Sequence, residues 1–233
     1  MINQLKSKLK ENKSIVSNFS YLSALQVFNL VAPLIAYPYL IRVLGGNLYG
    51  TVIFAQAIVS YFSIFVDFGF NIYATSQISI YKDNSNKINE IFSSVLTVKF
   101  LLFLLSLTIL IISISFLNIN HTLMFISMGM CLLDIFFPIW YFQGVERMKY
   151  ITIITLIGRC FSLIFIFTLI KSSEDFLLVP SIYVLSGFFS AIIAILIITK
   201  QDKVTFKLQN IKTLKYYIFE SWHIFISNAF ISI

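Results

Sequence analysis

The stretch VLTVKFLLFLLSLTILIISISFL, residues 95–117, decides the fold of this chain. It contains a single charged residue, Lys99, and as a helix it exceeds the ~20 residues needed to cross the ~30 Å hydrocarbon core of a bilayer. Its apolar residues are continuous and do not alternate with polar ones, which is typical of a helix and not of a strand in a membrane barrel. Inside lipid the backbone groups of a segment must pair within that segment, and a helix achieves this.

Similar apolar runs lie on both sides of this stretch, and another begins near Tyr216 and is still in progress at Ile233. We therefore predict an all-α, polytopic transmembrane helix bundle of six complete spans with the start of a seventh. We expect the chain to be the N-terminal part of a longer protein. The predicted spans are 19–40, 51–73, 95–117, 122–142, 150–170 and 176–199.

The composition excludes a soluble domain. Hydrophobic residues make up 58% of the chain and charged residues 12%, with a mean hydropathy of +0.89. Soluble domains carry about 25% charged residues, so this chain has too few to cover a surface facing water. Cys131 and Cys160 both fall inside predicted spans, and their surroundings lack the spacing of a metal site or a disulfide framework. We expect neither a metal nor another cofactor.

The formal net charge of +7 could suggest a nucleic-acid partner, but its distribution argues for membrane topology. Thirteen of the 17 Lys and Arg residues precede the first span or lie in the loops after spans two, four and six. The opposite side carries only Arg42 and Lys171. Basic loops remain in the cytoplasm, so we predict a cytoplasmic N-terminus and no binding of nucleic acid.

A six-span unit that ends in a basic loop is what a two-lobe transporter built from parallel repeats shows at its midpoint. On this basis the chain divides into four regions. They are a basic cytoplasmic N-terminus (1–17), an N-terminal six-span lobe (18–199), a basic cytoplasmic inter-lobe loop (200–215) and the truncated start of a second lobe (216–233).

Four stretches carry a resemblance to a known family. They are NFSYLSALQVFNLVAPLIAYPYLIRVLGGNLYG (18–50), FAQAIVSYFSIFVDFGFNIYATSQIS (54–79), FFPIWYFQGVERM (136–148) and SWHIFISNAF (221–230). As a set, and in this order, they resemble the Wzx-type O-antigen and polysaccharide flippases of the multidrug/oligosaccharidyl-lipid/polysaccharide exporter superfamily.

This resemblance implies a twelve-span protein with two six-helix lobes around a central cavity, in the bacterial inner (cytoplasmic) membrane. It also implies a transporter and not an enzyme. The substrate would be an undecaprenyl-pyrophosphate-linked oligosaccharide repeat unit, moved from the cytoplasmic to the periplasmic leaflet during lipopolysaccharide or other surface-polysaccharide biosynthesis. Membrane lipids, a polysaccharide polymerase and a chain-length regulator would be the partners.

A polar stripe runs along the predicted second span. Its members are separated by 4, 3, 4 and 4 residues, so they share one face of a helix. Such a face turns either toward a wet cavity, where it could meet substrate, or toward neighbouring helices, which it would join by hydrogen bonds. The residues of the stripe are Gln56, Ser60, Ser63, Asp67 and Asn71.

Four charged residues lie within the spans: Asp67, Lys99, Asp134 and Arg159. Each costs ~2.5–3.5 kcal/mol at the centre of a membrane helix, so each needs a partner or water. At ~1.5 Å per residue, Arg159 and Asp134 both lie about 12–14 Å from the cytoplasmic edge, on helices joined by a short loop, which predicts an ion pair between them. Asp67 and Lys99 lie about 9 and 6 Å deep by the same rise.

Two interpretations of these charges remain open. In one, they form structural ion pairs that fix the helices. In the other, Arg159 and Lys99 face the cavity and attract the pyrophosphate of the substrate, while Asp67 or Asp134 responds to protonation or binds a coupling cation. The coupling ion, whether proton or sodium, is open, as is transport driven by the membrane potential alone.

The remaining candidates lie nearer the ends of spans. Arg42, at the outer end of the first span, contacts either substrate or lipid headgroups. Glu220 and His223, near the start of the seventh span, are further coupling candidates because a histidine titrates near neutral pH. Pro33 and Pro38 are hinge candidates because proline removes a backbone hydrogen bond from a helix.

Three rival functions remain. A drug/cation antiporter of the same superfamily would be expected to bind cationic drugs through acidic groups. A membrane-embedded polymerase or ligase would need a large external loop with catalytic residues, whereas the external loops here are short and show no nucleophile–base pair. A truncated, non-transporting partner in polysaccharide assembly is the third.

Overall fold

The computed structural model describes residues 2–114 and 120–231, and this part of the chain is a bundle of helices without strands. The last residues of the predicted third span, 115–117, lie outside it. Six helical segments in the described part are long and apolar enough to cross a membrane, which confirms the predicted all-α membrane bundle. The helices are α1 (Ile2–Leu44), α2 (Gly46–Asp67), α3 (Phe70–Ile80), α4 (Ser85–Ser113), α5 (His121–Phe136), α6 (Ile139–Gly144), α7 (Met148–Leu169), α8 (Leu178–Leu196) and α9 (Ile211–Ile231).

The two ends of the bundle differ in their connections. One end, here called the basic end, carries the loops 81–84, 145–147 and 202–210. The opposite end carries a turn at Gly45 (φ 80°) and a 3₁₀ turn, Ser173–Leu177. A left-handed φ favours glycine, so Gly45 allows α1 to reverse directly into α2.

The predicted second span is not one helix. It breaks into α2 and α3 at Phe68 and Gly69, which both adopt left-handed backbone angles, with φ of 47° and 76°. Helix α9 packs against this break: Phe68 and Phe225 stack with ring centroids 4.6 Å apart. A Cβ atom on Gly69 would lie 2.9 Å from the backbone nitrogen of Phe225, so glycine is required for this close approach.

The predicted fourth span is also broken, into α5 and α6. Helix α5 ends at Phe136 and α6 begins after Pro138. Proline has no N–H to donate to the carbonyl four residues earlier, which belongs to Asp134. Both breaks therefore lie close to an aspartate that the sequence placed inside the membrane.

Both hinge candidates lie inside α1, which continues as a helix through Pro33 and Pro38. The missing N–H groups of these prolines leave the carbonyls of Asn29 and Leu34 without their usual helical partners. Whether α1 bends there during a transport cycle stays a prediction. The predicted N-terminal segment 1–17 is continuous with the first span, because α1 already begins at Ile2.

The loop between α8 and α9 is fastened to the bundle. Backbone N–H groups of Thr205 and Lys207 donate to Asn89 Oδ1 and Ser93 Oγ, both at 2.9 Å. Arg147 forms an ion pair with Asp202 at the start of the same loop. Helix α9 then begins at Ile211, inside the region predicted as inter-lobe loop.

Among the described residues, the hydrophobic core consists of two clusters, one above the other along the bundle. The cluster toward the Gly45 turn includes Phe103 and Leu110 of α4, and the cluster toward the basic end includes Val95 and Val98 of the same helix. Lys99 therefore lies at the boundary between the two clusters.

Candidate functional site

The side chain of Lys99 is fully buried, with 0% of its surface exposed. Its ammonium group lies 2.7 Å from Asp67 Oδ1, 3.4 Å from the backbone oxygen of Asp134 and 3.5 Å from Asn71 Oδ1. An ammonium group has three N–H donors, so these three oxygens provide one acceptor for each. A buried charge of this kind is tolerated only when it is paired and hydrogen-bonded.

The two helix breaks explain why these oxygens meet. Helix α2 ends at Asp67 and α5 ends at Phe136, so both present the negative end of a helix dipole toward the same region. The carbonyl of Asp134, which Pro138 leaves without a helical partner, accepts from Lys99 instead. We call Lys99, Asp67, Asn71 and Asp134 the ion cluster.

Asp134 contributes its backbone oxygen to Lys99, while its carboxyl group lies on an exposed side of α5 near Ser63 and in the field of Lys99 and Asp67. Two carboxyl groups thus accompany one ammonium group in the ion cluster. Exposed carboxyl groups at this depth are found facing water or protein and not lipid. This side of α5 therefore belongs to a wet or protein-covered face of the bundle.

The predicted ion pair between Arg159 and Asp134 is wrong. No carboxylate in the described part of the chain lies within 4.0 Å of the Arg159 guanidinium, and Asp134 lies beside Lys99. The arginine projects from α7 into a separate cavity. Depth alone does not determine the direction in which a side chain leaves its helix.

This cavity measures about 400 Å³ and lies between α1, α2, α5, α7 and α8. Arg159 is the single charged side chain among its described lining residues. Tyr37 and Ile53, the exposed residues of the lining, are 43% and 38% exposed, so the cavity opens between α1 and α2. We call this space the Arg159 cavity.

Polar groups without partners also line the Arg159 cavity. Tyr49 is 8% exposed and its hydroxyl has no hydrogen-bond partner among the described residues, and the same holds for Nε2 of the partly buried Gln56. Tyr183 lies close enough to Arg159 to interact with its charge. Buried donors are normally hydrogen-bonded, so these groups are available to bind water or a polar ligand in the cavity.

The structure divides the polar stripe of the second span between two sites. Gln56 lines the Arg159 cavity, Asp67 and Asn71 belong to the ion cluster, and Ser63 contacts Cys131 between them at 3.3 Å. Ser60 is exposed and bonds the backbone oxygen of Ala57.

Of the other candidates, Pro33 lines the Arg159 cavity, whereas Pro38, Arg42, Glu220 and His223 belong to neither site. Arg42 is exposed in the last turn of α1 and does not line the Arg159 cavity. Glu220 and His223 are exposed on α9.

The sequence analysis did not identify three tyrosines of the Arg159 cavity, namely Tyr37, Tyr49 and Tyr183. Tyr37 and Tyr49 lie within the first family-like stretch, 18–50, which was the one feature of the sequence that could have indicated their role.

The fold and its two polar sites define a multi-pass membrane protein with a cationic cavity inside its helix bundle. A family model described as "Polysaccharide biosynthesis protein" matches residues 15–233, and the chain belongs to this family. The match confirms the resemblance drawn from the four sequence stretches.

Two curated relatives support the same assignment. One, from Escherichia coli K12, is named "Putative O-antigen transporter" and is 31% identical over 230 residues, which cover 94% of this chain and 54% of the relative. A protein of the same name from Shigella dysenteriae is 29% identical over 208 residues, covering 88% and 52%. The chain thus spans about half the length of the curated relatives it matches. No solved structure gives a significant match.

Proposed function

We propose that this chain is the N-terminal lobe of a flippase for undecaprenyl-pyrophosphate-linked oligosaccharide repeat units, of the O-antigen or a similar surface polysaccharide. The observation that carries this proposal is the Arg159 cavity, a space of about 400 Å³ inside a membrane bundle with one unpaired cationic side chain. The names of the two relatives and the family support the polysaccharide class of substrate.

The cavity suits the pyrophosphate of such a substrate. A guanidinium group binds phosphate oxygens through two parallel hydrogen bonds, and its attraction is stronger where water is largely excluded. The free Tyr49 hydroxyl and the Gln56 amide supply further donors. Arg159 is thus proposed to contact the phosphate, with Tyr49 and Gln56 completing its coordination.

The proposed topology rests on the basic loops, and the proposed direction, from the cytoplasmic to the periplasmic leaflet, is the one that the resemblance to the flippases implies. With these loops in the cytoplasm, the N-terminus faces the cytoplasm and the Gly45 turn faces the periplasm. The lobe, 18–199, would rock against a second lobe that starts near 216, and the loop 200–215 would join the two. A polymerase and a chain-length regulator remain proposed partners in the bacterial inner membrane, alongside membrane lipids.

We propose that Asp134 couples transport to a gradient of protons or sodium ions. The ion cluster contains two carboxyl groups and one ammonium group, and Asp67 is the one that forms the ion pair with Lys99 at 2.7 Å. The second carboxyl group, on the exposed side of α5, requires a proton or a sodium ion for neutrality within the membrane. Lys99 is thus assigned to holding Asp67 and not to contacting substrate.

Replacement of Asp134 by asparagine is expected to uncouple transport from the ion gradient. In vesicles containing the complete protein, the wild type should respond to an imposed proton or sodium gradient, whereas Asp134→Asn should give the same slow rate with or without it. Asp175→Asn, on the turn at the opposite end, is the matched control. A variant that keeps its full gradient response would rule out Asp134 as the coupling residue.

A drug/cation antiporter fits less well, because the single charged group lining the cavity is a cation and would repel cationic drugs. The truncated-partner hypothesis predicts no transport at all.

Deleting the gene from its own organism distinguishes the flippase from the drug/cation antiporter. A flippase predicts loss of surface polysaccharide and accumulation of lipid-linked repeat units, detected by gel and by mass spectrometry of lipid extracts. Loss of drug resistance with unchanged polysaccharide would support the antiporter and contradict the proposal.

A further inference from the structure

The ion cluster lies where two interrupted helices end. Helix α2 ends at Asp67 and α5 at Phe136, and an oxygen of Asp67 and the backbone oxygen of Asp134 lie close to these two ends. In membrane transporters, the C-terminal ends of broken helices and their unpaired carbonyls coordinate coupling cations such as sodium. The negative ends of two helix dipoles also favour a positive charge between them. The backbone of this lobe therefore forms a cation site, and the Lys99 ammonium group occupies it.

Lys99 uses the oxygens that a bound ion would need. Its three N–H donors meet Asp67 Oδ1, the backbone oxygen of Asp134 and Asn71 Oδ1, at 2.7, 3.4 and 3.5 Å from the nitrogen. A sodium ion, like other hard cations, binds several oxygens at once, and it would compete for the same three. Two like charges repel strongly at such distances when water is excluded, and the Lys99 side chain is 0% exposed. A sodium ion and this ammonium group therefore exclude each other.

The carboxyl group of Asp134 does not provide a second sodium site. The charged groups that face it are Asp67 from α2 and Lys99 from α4, and its other polar neighbours are the Ser63 hydroxyl and the Cys131 thiol. Helix α8 also packs against α5 but carries no Asp, Glu, Lys or Arg, and the 3₁₀ turn that contacts α5 lies at the opposite end of the bundle. A proton needs a single carboxylate oxygen, so it is the ion that this group can take up.

We infer that Lys99 is a built-in cation that excludes sodium from the ion cluster, so that the proton and not sodium couples transport. The coupling half of this inference rests on the proposed function, whereas the exclusion of sodium is a property of the folded lobe. Removing the ammonium group while leaving its space open should convert the cluster into a sodium site. Lys99 is thus the residue that determines which ion the lobe uses.

The test compares two replacements of Lys99 that remove the same charge but differ in volume. Lys99→Ala leaves a space beside Asp67 Oδ1 that an ion can enter. Lys99→Met fills this space with an apolar side chain of similar length and is the matched control. A double variant, Lys99→Ala with Asp67→Asn, keeps the space but removes the anionic ligand. Thermal unfolding of the purified complete protein in detergent is measured in sodium chloride and in choline chloride of equal concentration.

Both single variants should be less stable than the wild type in choline chloride, because Asp67 has lost its partner. Sodium at ~100-fold its dissociation constant should raise the unfolding midpoint of Lys99→Ala by about 5–10 °C. The wild type, Lys99→Met and the double variant should each have the same midpoint in the two salts. If Lys99→Ala is unfolded in choline chloride, sodium should restore the folded protein.

Transport in vesicles tests the coupling half. A proton gradient should accelerate transport by the wild type when choline replaces all sodium, and a sodium gradient alone should not. Surface polysaccharide in cells carrying the wild-type gene should not depend on sodium in the medium. These measurements use the unaltered protein, so they do not depend on the folding of any variant.

Sodium that stabilises the wild type or drives its transport would overturn the inference, because Lys99 would then not exclude it. The same holds if sodium fails to stabilise Lys99→Ala, or stabilises Lys99→Met equally. A wild type that no proton gradient accelerates would overturn the coupling half. Each of these results leaves the flippase proposal standing. A folded wild type that moves no lipid-linked oligosaccharide under any gradient would instead overturn the proposed function, while sodium binding by Lys99→Ala would still support the exclusion of sodium.

Discussion

Transport is expected to be lost when Arg159 is replaced by glutamine or alanine, while the amount of protein in the membrane stays the same. The substitution removes the one charged group that lines the cavity, and a charge-assisted hydrogen bond contributes about 1.5–3 kcal/mol. Affinity for undecaprenyl pyrophosphate should fall by about ten- to a hundredfold. Surface polysaccharide, lipid binding and protein level are measured on the same strains.

Two further variants make this result specific. Arg159→Lys keeps the charge but loses the paired hydrogen bonds of the guanidinium group, so it should retain partial activity. Arg42→Gln removes an exposed arginine outside the cavity and should leave affinity for the lipid unchanged. If transport in Arg159→Gln declines only as far as the protein level declines, the arginine is structural and does not contact the substrate.

Replacement of Lys99 by methionine is expected to destabilise the lobe strongly, because it leaves the partly buried carboxylate of Asp67 without its partner. Breaking a buried ion pair by removing one member costs about 3–5 kcal/mol. At about 2–4 °C per kcal/mol, the midpoint of thermal unfolding in detergent should fall by roughly 10 °C. Lys171→Met, at an exposed lysine near the opposite end, should change the midpoint little.

The double variant Asp67→Asn with Lys99→Met tests whether the destabilisation comes from the broken ion pair or from the loss of the lysine side chain itself. Removing both members of the ion pair leaves neither of them unpaired, so the double variant should recover most of the stability lost in Lys99→Met. Additive destabilisation would show that the two residues are not energetically coupled. A midpoint equal to that of the wild type in Lys99→Met alone would show that the pair contributes nothing.

The sequence predicted the helical class and the approximate positions of the six spans, because continuous hydrophobicity and membrane thickness constrain them directly. It did not predict the breaks at Phe68 and Gly69 or at Phe137 and Pro138. Gly69 and Pro138 are residues that often interrupt helices. A single such residue, however, changes the mean hydropathy of a long apolar segment little. Whether a helix bends or ends there depends on the neighbours that pair with the freed backbone groups.

For the candidate sites too, the sequence predicted some features and missed others. All four charges lie in helical segments long and apolar enough to span a membrane, but depth arithmetic paired Arg159 with Asp134, since these residues lie on helices joined by a short loop. The observed pair, Lys99 and Asp67, joins α4 to α2 instead. Depth reports position along a helix and says nothing of rotation around it. The Arg159 cavity is built from five helices, so a residue such as Tyr183, outside the family-like stretches, gave no sign of its role in the sequence.

The ion cluster has a consequence for biogenesis. Asp67 precedes Lys99 by 32 residues, and Asp134 follows Lys99 by 35, so the three groups leave the ribosome at different times. An unpaired charge at membrane depth is costly. We therefore expect the second and third spans to enter the lipid together as a hairpin. The aspartate of the fourth span then completes the coordination of a lysine that is already in place.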